Sequence, residues 1–368
     1  MGRFVGRERE IAALQGKRSP ESGSRLTVVY GRRRIGKTRL IEEAFKGCEV
    51  FKIEGLEDAS SRKQRQHFIE ELAKFSGLQA HRSLRNDNWR TLLISLSEYI
   101  GTRALVVFLD EFQWLAAERN DLISELKFVW DNYFAKNNNV HLILCGSISS
   151  FIVKRVARSK AFYGRIDLQI HLKPLNLKEV QGGFFNNSTQ REVVEHWMIL
   201  GGVPWYLNLC DPSRTPEQNA KVLLFSNLGK LFRETEQLFV SHFGKNPAYQ
   251  KVVEYLGVHR FSHRKPLVKA GGMKSGGGAS DILEDLELAG FIESYSSIHL
   301  ADSKRLVRYR LADPFLRFYY HFVAPLRKRI EREGEVDLPI ALPPHKYASW
   351  RGVAFEHLCM QHIRSVSS

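Results

Sequence analysis

The sequence has few cysteines and no long hydrophobic run. Its thiols are far apart and form no C-x-x-C pair, which argues against disulfide bonds and a structural zinc site. No apolar stretch approaches the roughly 20 residues of a membrane-spanning helix, and the charged opening MGRFVGRERE lacks the core of a secretion signal. We therefore expect a cytoplasmic protein without a membrane partner. The cysteines are Cys48, Cys145, Cys210 and Cys359.

Acidic residues are scarce relative to basic ones. The 368 residues include 55 Lys and Arg against 40 Asp and Glu, which gives a formal net charge of +15 at pH 7. This balance fits a nucleic acid or another polyanion as partner, but a generally basic solvated surface gives the same count. Net charge alone therefore does not identify the partner.

The first half of the chain alternates short apolar runs with segments of helical pattern. Such alternation predicts a parallel sheet covered by helices on both faces. The apolar runs are 26–30, 49–53, 104–109, 140–145 and 167–172. The helical segments include 38–45, 61–77 and 123–135.

The second half has a different pattern, in which strand signals fade after about residue 175. REVVEHWMILGG (191–202) and AKVLLFSNLGKLFRETEQLF (220–239) predict amphipathic helices. A third region mixes short helices with a late hairpin-like pair, and GEVDLPIALPPHK (334–346) predicts a proline-rich, poorly structured connector. We divide the chain into domains at residues 1–174, 175–243, 244–332 and 333–368.

The stretch LTVVYGRRRIGKTRLIEEAF carries the most specific signal. GRRRIGKT matches the pattern G-x-x-x-x-G-K-[S/T] between a buried strand and a helix. Its glycines let backbone N–H groups turn toward a phosphate, and the helix N-terminus adds positive charge. Lys37 can reach the β- and γ-phosphates, and the Thr38 hydroxyl can bind Mg²⁺. The predicted nucleotide-binding residues of this loop are Gly31, Arg32, Arg33, Arg34, Ile35, Gly36, Lys37, Thr38 and Arg39.

A second acidic site follows the apolar strand in LVVFLDEF (105–112). Asp110 is predicted to hold Mg²⁺ through water. Glu111 directly after it is predicted to polarise the attacking water, which favours hydrolysis over transfer to a small molecule. In the alternative interpretation, Glu111 is only a charge at a helix N-terminus.

Two weaker signals concern recognition of the γ-phosphate and the identity of the nucleotide's base, adenine or guanine. LILCGSISSF (142–151) places Ser147 at a strand end, where it can sense the γ-phosphate, orient water, or simply cap a helix. The guanine signature N-K-x-D is missing, so ATP is predicted rather than GTP.

The order of motifs resembles that of the archaeal-type ATPases, found in archaea and bacteria, within the AAA-like and STAND class of P-loop NTPases. The motifs are FVGREREIAAL (4–14), the P-loop, FLDEFQWL, CGSISSF, SKAFYGRIDLQIHLKPL (159–175) and GGVPWYL (201–207). The resemblance covers nearly the whole chain. It implies an α/β fold: a P-loop NTPase with a parallel sheet (ASCE or AAA-like), then a helical lid and a winged-helix domain.

The resemblance also implies roles for residues outside the loop. The box Gly6-Arg7-Glu8 lies beside the nucleotide in such ATPases, although by itself it is a charged turn before a helix. Arg165 resembles an arginine finger that meets the γ-phosphate across an interface, and a structural ion pair is the alternative. Pro204 resembles a nucleotide-contacting residue of the helical domain, or it simply breaks a helix. A finger acting between subunits would require a homo-oligomer.

The third region resembles a winged helix-turn-helix, in which a helix enters the major groove of DNA and the wing touches backbone. NPAYQKVVEYLGVH is similar to its first helix, GGASDILEDLELAGFIES to its third, and residues 293–323 to the wing and following helix. The glycine-rich stretch 268–278 and the acidic third helix depart from the pattern, so a winged helix that contacts protein is the alternative. The acidic residues are Asp281, Glu284, Asp285 and Glu287. The candidate phosphate contacts are Lys265, Lys269, Lys274, Lys304, Arg305 and Arg308.

Longer members of this family continue into a nuclease-like domain of the restriction-endonuclease type. RGVAFEHLCMQHI (351–363) resembles only the first helix of that domain, with Glu356 at its acidic position. We therefore expect that this chain does not cut DNA by itself.

Taken together, the motifs predict a Mg²⁺-dependent, ATP-hydrolysing switch or motor that acts on or near DNA. The predicted catalytic residues are Lys37, Glu111, Ser147 and Arg165, and the predicted metal-binding residues are Thr38 and Asp110. Two other classes stay open: a nucleotide-gated scaffold with negligible turnover, and a DNA-binding regulator dominated by the winged helix. A small-molecule kinase fits less well, because the Asp110–Glu111 pair suits water better than a substrate hydroxyl.

Overall fold

The protein consists of two units, which we describe separately. The computed structural model describes residues 4–16, 23–86, 88–116, 121–137, 139–296 and 307–366. The first unit is Arg7–Leu172, and the second contains residues 173–366 together with residues 4–6. Within the described ranges, every helix is too short or too polar to cross a lipid bilayer.

A five-stranded parallel sheet forms the centre of the first unit. Its strands are β1 (Arg25–Tyr30), β2 (Val50–Glu54), β3 (Leu105–Asp110), β4 (Val140–Gly146) and β5 (Leu168–His171). They lie in the order β2-β3-β4-β1-β5, and every neighbouring pair is parallel. Each strand agrees with a predicted apolar run to within one residue at either end, so the predicted parallel sheet is confirmed.

The interior strands β3 and β4 are buried along their whole length. Because successive side chains of a strand face opposite sides of a sheet, both faces must be covered. The helices of this unit are α1 (Glu8–Gln15), α2 (Lys37–Ala44), α3 (Ser61–Ser76), α4 (Gln79–Arg82), α5 (Trp89–Ile100), α6 (Phe112–Leu115), α7 (Asp121–Asn132) and α8 (Ser149–Phe151). A 3₁₀ turn covers Phe134–Lys136 and a π-type turn covers Ile152–Ala157.

Helix α5 illustrates how the sequence sets these elements. The Asn88 side chain accepts a hydrogen bond from the Thr91 N–H, which caps the helix, and Gly101 follows its last residue with positive φ. Its buried residues recur at helical spacing and join the same core cluster as the strands: Trp89, Leu92, Leu93, Leu96 and Ile100. Burial of this apolar face stabilises the helix more than its intrinsic propensity does.

The second unit is mainly helical and has a small antiparallel sheet. The strands are β6 (Ser262–His263), β7 (Ile292–Tyr295) and β8 (Arg308–Leu311), in the order β6-β8-β7. The helices are α9 (Leu177–Phe184), α10 (Gln190–Leu200), α11 (Pro204–Leu207), α12 (Pro216–Leu224), α13 (Glu234–Phe243), α14 (Pro247–Val258), α15 (Arg264–Ala270), α16 (Gly277–Leu288), α17 (Pro314–Phe318), α18 (Arg327–Glu333), α19 (Leu338–Ala341) and α20 (Pro344–Val366). Tyr319–Val323 forms a π-type turn and Ala324–Leu326 a 3₁₀ turn.

Three of these helices begin with a capping box, in which the N-cap side chain and the third helical side chain each bond the other's backbone N–H. The pairs are Asn176 with Glu179, Thr189 with Glu192, and Thr215 with Gln218. Each pair satisfies backbone donors that a helix start otherwise leaves open. The starts of α9, α10 and α12 are thus encoded locally.

The prediction of continuous helix over residues 220–239 is wrong in its middle. Helix α12 ends at Leu224 and α13 begins only at Glu234. Between them the Leu231 N–H returns to the Leu223 carbonyl, and a Cβ added at Gly229 would lie 2.5 Å from the same carbonyl oxygen. Only glycine fits this close backbone approach, so a tertiary turn replaces the amphipathic pattern.

The connector predicted to be poorly structured is also corrected. Within residues 334–346, α19 covers Leu338–Ala341 and α20 begins at Pro344, while Glu335 forms an isolated β-bridge with Ser226. Proline favours the first positions of a helix, where its missing N–H costs nothing. The prolines of this stretch therefore mark helix starts and not a linker.

Candidate active site

The parallel register brings the predicted motifs to one edge of the sheet. Tyr30, the last residue of β1, pairs with Gly146 at the end of β4, and Leu109 of β3 pairs with Leu144. The P-loop, the acidic pair and Ser147 all follow these strand ends directly. The carboxyl edge of the sheet is where parallel α/β folds bind ligands.

The P-loop makes a tight backbone turn between β1 and α2. Gly36 has φ of 92° and Arg34 has φ of 67°, both in the left-handed region. A Cβ at Gly31 would lie 2.6 Å from the Leu172 carbonyl oxygen, so the loop start admits only glycine. Gly36 sits at the N-cap of α2 and brings no side-chain acceptor, which leaves the first-turn N–H groups available to an anion.

Lys37 is buried inside this loop, with 6% of its side chain exposed. Its ammonium donates hydrogen bonds to the carbonyl oxygens of Gly31 and Arg32, at 3.1 Å each. These bonds fix the positive charge in the concave side of the loop. A phosphate bound there would meet the ammonium and the α2 N-terminus together.

Thr38 and Asp110 face each other across the sheet edge. The Thr38 hydroxyl donates to Asp110 Oδ2 at 2.7 Å, and the Glu111 N–H donates to Asp110 Oδ1 at 3.0 Å. Burial raises the pKa of Asp110, while the bond from Thr38 opposes that shift. Hydroxyl and carboxylate oxygens are the donors that Mg²⁺ prefers, so the pair fits that ion.

Cys145 is a further neighbour of Asp110 that the motif analysis did not single out. Its thiol is fully buried on β4 and hydrogen-bonds the Asp110 carboxyl. Burial raises the pKa of the Cys145 thiol well above its ordinary value. The thiol therefore stays protonated and acts as a weak donor to the carboxylate.

Glu111 and Ser147, predicted separately, are brought into direct contact. Glu111 Oε2 accepts the Ser147 hydroxyl at 2.7 Å and the Ser147 N–H at 3.2 Å. Glu111 itself has φ of 45°, which turns its side chain out of the strand direction. The same oxygen accepts the amide of Gln113, a residue that we did not predict. Its only sequence signal is a polar residue inside the otherwise apolar segment FQWL.

Glu54 adds a third carboxylate at this edge. It ends β2 opposite Asp110 in the register, and its pKa is raised, first by burial and then by the charges of Asp110 and Glu111. A cavity of about 570 Å³ opens here within the first unit. It is lined by Arg33, Lys52, Ile53, Glu54, Gly55, Leu56, Glu57, His67, Glu71 and Trp114.

The remaining loop residues take different positions. Arg32 and Ile35 are buried, while Arg39 is partly exposed in the first turn of α2. The Arg33 guanidinium lies 3.7 Å from the Glu57 carboxylate and 5.4 Å from the centre of the Trp114 ring. Arg33 therefore faces the cavity at the end of β2.

Arg7 and Arg165 lie in the first unit but each has a protein partner. Arg7 has φ of 71°, is buried at the start of α1, and lies 3.6 Å from the Glu10 carboxylate. The Arg165 guanidinium donates two hydrogen bonds to the Asp131 carboxylate, from Nε to Oδ1 at 2.6 Å and from Nη2 to Oδ2 at 3.0 Å. This pair lowers the pKa of Asp131. The geometry corresponds to the ion-pair alternative, and a finger role would require Arg165 to leave Asp131.

Pro204 belongs to the second unit, where it is the first residue of α11. Ahead of it, the Gly202 carbonyl accepts the Leu175 N–H at 2.7 Å, and a Cβ at Gly202 would overlap the Leu175 carbonyl. The G-x-P element is therefore a close backbone crossing that ends in a helix start. Contact of Pro204 with a nucleotide stays a prediction.

Comparison with known proteins agrees with this geometry. Residues 4–210 match the family model of an ATPase domain predominantly from Archaea. An uncharacterised protein of Methanocaldococcus jannaschii, MJECL04, is 26% identical over 374 residues, which cover 98% of this chain and 77% of that protein.

Two solved structures share the fold. The Walker-type ATPase PABY2304 of Pyrococcus abyssi has a TM-score of 0.58 at 21% identity, covering 86% of this chain and 96% of that one. The ORC2 protein of Aeropyrum pernix, in its ADPNP–ADP complexes, has a TM-score of 0.54 at 14% identity, covering 90% and 96%. The predicted α/β P-loop NTPase fold is thereby confirmed.

Proposed function

The chain belongs to the family of ATPase domains found predominantly in Archaea, and we propose that it hydrolyses ATP with Mg²⁺ as a switch or motor on or near DNA. The observation that carries the proposal is the meeting of three elements at one sheet edge. These are a buried lysine in a glycine-bounded loop, a hydroxyl–carboxylate pair, and a second carboxylate held by Ser147.

Each group has a distinct task in this proposal. The Lys37 ammonium exchanges its two carbonyl partners for oxygens of the β- and γ-phosphates. Thr38 and Asp110 would hold Mg²⁺, which would supply positive charge beside the phosphate oxygens. These groups bind and orient the triphosphate.

Glu111 supplies the feature that favours hydrolysis. Its carboxylate lies at the same edge as the loop, held on one oxygen by Ser147. A carboxylate in this position can accept the proton of an attacking water, and proton transfer of this kind contributes about 10²- to 10⁴-fold to a rate. Turnover to ADP and phosphate is therefore proposed rather than transfer to a small molecule.

The test is steady-state phosphate release from ATP, with Mg²⁺ or with EDTA. Glu111→Gln should lower kcat by roughly 100-fold while ATP affinity changes less than about 3-fold. Glu125→Gln is the matched control, because Glu125 pairs with Arg90 on the surface of the same unit. Equal turnover in Glu111→Gln would remove Glu111 from the reaction. ATP binding without any turnover in the unmodified chain would indicate the scaffold instead.

An association with DNA rests on residues 247–311 of the second unit, which we propose to be a winged helix. Helices α14, α15 and α16 precede the antiparallel pair of β7 and β8. Lys265, Lys269 and Lys274 are exposed on or just after α15. Arg308 is exposed on β8, with its guanidinium 4.6 Å from the Phe261 ring, while Lys304 and Arg305 lie outside the described residues.

Two carboxylates of α16 accept hydrogen bonds from uncharged donors within the unit. Tyr249 donates its hydroxyl to Asp285 at 2.8 Å. Glu287 accepts the Ser294 N–H at 2.8 Å and the Ser294 hydroxyl at 2.6 Å. The carboxylates keep their negative charge, so the proposed phosphate contacts are the exposed basic residues on and after α15 and on β8 rather than residues of α16.

Fluorescence anisotropy with duplex DNA across a salt series tests this association. Phosphate contacts predict affinity that falls as salt rises, and Lys265→Ala with Lys269→Ala should weaken binding and reduce the salt slope by about 1 per lost contact. Lys74→Ala is the control, since Lys74 is an exposed lysine of the first unit paired with Glu71. Binding that is insensitive to salt would contradict a phosphate interface.

A further inference from the structure

Gln113 is a buried amide at the candidate active site, with 3% of its surface exposed. It lies on α6, between Phe112 and Leu115, whose side chains belong to the core of the first unit. Because both neighbours are anchored in that core, the short helix has little freedom to turn. The amide is thereby fixed against the end of β4.

The amide closes a ring of hydrogen bonds with Glu111 and Ser147. Gln113 Nε2 donates to Glu111 Oε2 and, at 3.2 Å, to the Ser147 hydroxyl oxygen. The Ser147 hydroxyl in turn donates to Glu111 Oε2 at 2.7 Å. Both amide protons and the hydroxyl proton are used, so the direction of every bond in the ring is determined.

All of these donors act on one oxygen of the carboxylate. Glu111 Oε2 accepts from Gln113, from the Ser147 hydroxyl and from the Ser147 N–H. Over the part of the chain that the structure describes, no hydrogen bond is directed at the second oxygen, Oε1. The ring therefore sets the plane of the carboxylate and leaves Oε1 for a water molecule.

Two glycines provide the space that this arrangement needs. A Cβ at Gly146 would lie 2.5 Å from Gln113 Oε1, and a Cβ at Gly55 would lie 2.6 Å from the Glu111 carbonyl oxygen. Gln113 Oε1 itself is buried and has no hydrogen-bond partner among the described residues. A buried acceptor without a partner costs stability, and native folds keep such groups mainly where function requires them.

We propose that Gln113 is a positioning residue for hydrolysis, which holds the Glu111 carboxylate so that Oε1 faces the attacking water. The inference rests on the proposed function, because it gives Glu111 the role of base. A misplacement of about 1 Å at a catalytic group can lower a rate roughly 100-fold. Loss of the amide should therefore affect turnover and leave nucleotide binding intact.

The first experiment compares Gln113→Leu with the unmodified chain in kcat, ATP affinity and thermal unfolding. We expect kcat to fall roughly 10- to 100-fold, with ATP affinity within about 3-fold. The melting temperature should change little, because leucine removes a buried acceptor that has no partner but also removes one donor of the Glu111 carboxylate. Thr27→Val is the matched control: it removes a buried hydrogen bond, Thr27 to His141 at 2.8 Å, from the same sheet.

The second experiment places Gln113→Leu on the Glu111→Gln background. If Gln113 acts through Glu111, the double variant should turn over no more slowly than Glu111→Gln alone. A further loss in the double variant, an equal loss of ATP affinity, or an unchanged or raised kcat in Gln113→Leu would overturn the inference. These results leave the ATPase proposal standing. Absence of ATP turnover in the unmodified chain would overturn both the ATPase proposal and the role of Gln113. The experiments therefore distinguish failure of the ATPase proposal from failure of the Gln113 inference alone.

Discussion

Buried polar side chains meet at one edge of the sheet in the first unit, while several in the second unit form separate pairs between helices. In the first, Lys37, Asp110, Gln113 and Ser147 lie at or just after the ends of neighbouring parallel strands, where Asp110 bonds Thr38 and Gln113 bonds Ser147. In the second, isolated pairs join helices, as in Tyr206 with Glu234 at 3.0 Å and His196 with Asn219 at 3.0 Å. Polar groups that lie close together can act jointly on a ligand, whereas separate pairs between helices mainly specify how those helices pack.

The aromatic residues of the second unit support the same distinction. Trp350 on α20 contacts three rings, with centroid distances of 5.2 Å to Phe318, 5.6 Å to Phe322 and 5.6 Å to Tyr347. Such pairs contribute about 0.5–1.5 kcal/mol each beyond their area burial. The contacts with Phe318 and Phe322 fix α20 against the end of α17 and the turn that follows it, while Tyr347 lies on α20 itself. We expect substitutions here to change stability, and substitutions at the sheet edge to change catalysis.

The largest effect should follow Lys37→Ala. The ammonium is the buried charge of the P-loop, and its loss should weaken ATP binding at least about 100-fold, because each charge-assisted bond to phosphate contributes roughly 1.5–3 kcal/mol. Titration with a fluorescent ATP analogue measures this. Lys74→Ala is the control, because Lys74 is an exposed lysine of the same unit that pairs with Glu71. Similar affinities in the two variants would contradict the assignment of the sheet edge as the nucleotide site.

Asp110→Asn should separate stability from metal binding. Because burial raises the pKa of Asp110, its carboxylate is less favourable in the folded than in the unfolded chain. Its contribution to stability is thus greatest at low pH and is lost as pH rises above about 4 and through the folded-state pKa. We expect the variant to unfold at a higher temperature than the unmodified chain at pH 7 without ligand, and to lose stabilisation by Mg²⁺ and ATP, as thermal melts would report. A lower melting temperature at pH 7 would contradict the burial argument.

His357→Phe should act through stability alone. Burial, with Arg317, Arg310 and Arg260 nearby, lowers the pKa of His357 from 6.5 to about 3. The unfolded chain therefore binds a proton that the folded chain excludes, so stability falls as pH drops from 6.5 toward 3, by at most about 1.4 kcal/mol per pH unit. Urea unfolding at pH 7 and pH 5 should show a smaller loss in the variant. Identical losses of unfolding free energy between pH 7 and pH 5 in the variant and the unmodified chain would show that groups other than His357 cause the pH sensitivity.

Tyr206→Phe should have the smallest effect. The buried hydroxyl donates to Glu234, and its removal should cost about 1–2 kcal/mol of unfolding free energy, because the buried carboxylate loses a donor. Tyr163→Phe is the control, since Tyr163 is 84% exposed. Denaturant unfolding measures both. Equal losses of unfolding free energy in Tyr206→Phe and Tyr163→Phe would show that the buried Tyr206–Glu234 pair does not stabilise helix packing.

Much of the site could be predicted because its positions are set locally. Apolar runs defined the five strands, and parallel topology then required Lys37, Asp110 and Ser147 to meet at one edge. Gln113 could not be predicted, because a lone glutamine beside two core residues has no pattern of its own. Its role depends on Gly146, which lies 33 positions later in the chain.

Other differences arise from contacts that sequence periodicity does not record. The partner of Arg165 is Asp131, on α7, so a motif interpretation of YGR contains no information about the ion pair. The break in residues 220–239 depends on Gly229 approaching the Leu223 carbonyl. In each case a tertiary contact overrode the local pattern.

Four non-glycine residues in the described ranges have positive φ, and three of them are candidate site residues: Arg7, Arg34 and Glu111, with Asp58 as the fourth. A left-handed conformation costs an ordinary residue about 1–2 kcal/mol. Selection for heat resistance alone would therefore favour glycine at these positions. A thermostable variant obtained in that way would lose three candidate site side chains, so stability screens of this protein need a parallel screen for nucleotide binding and turnover.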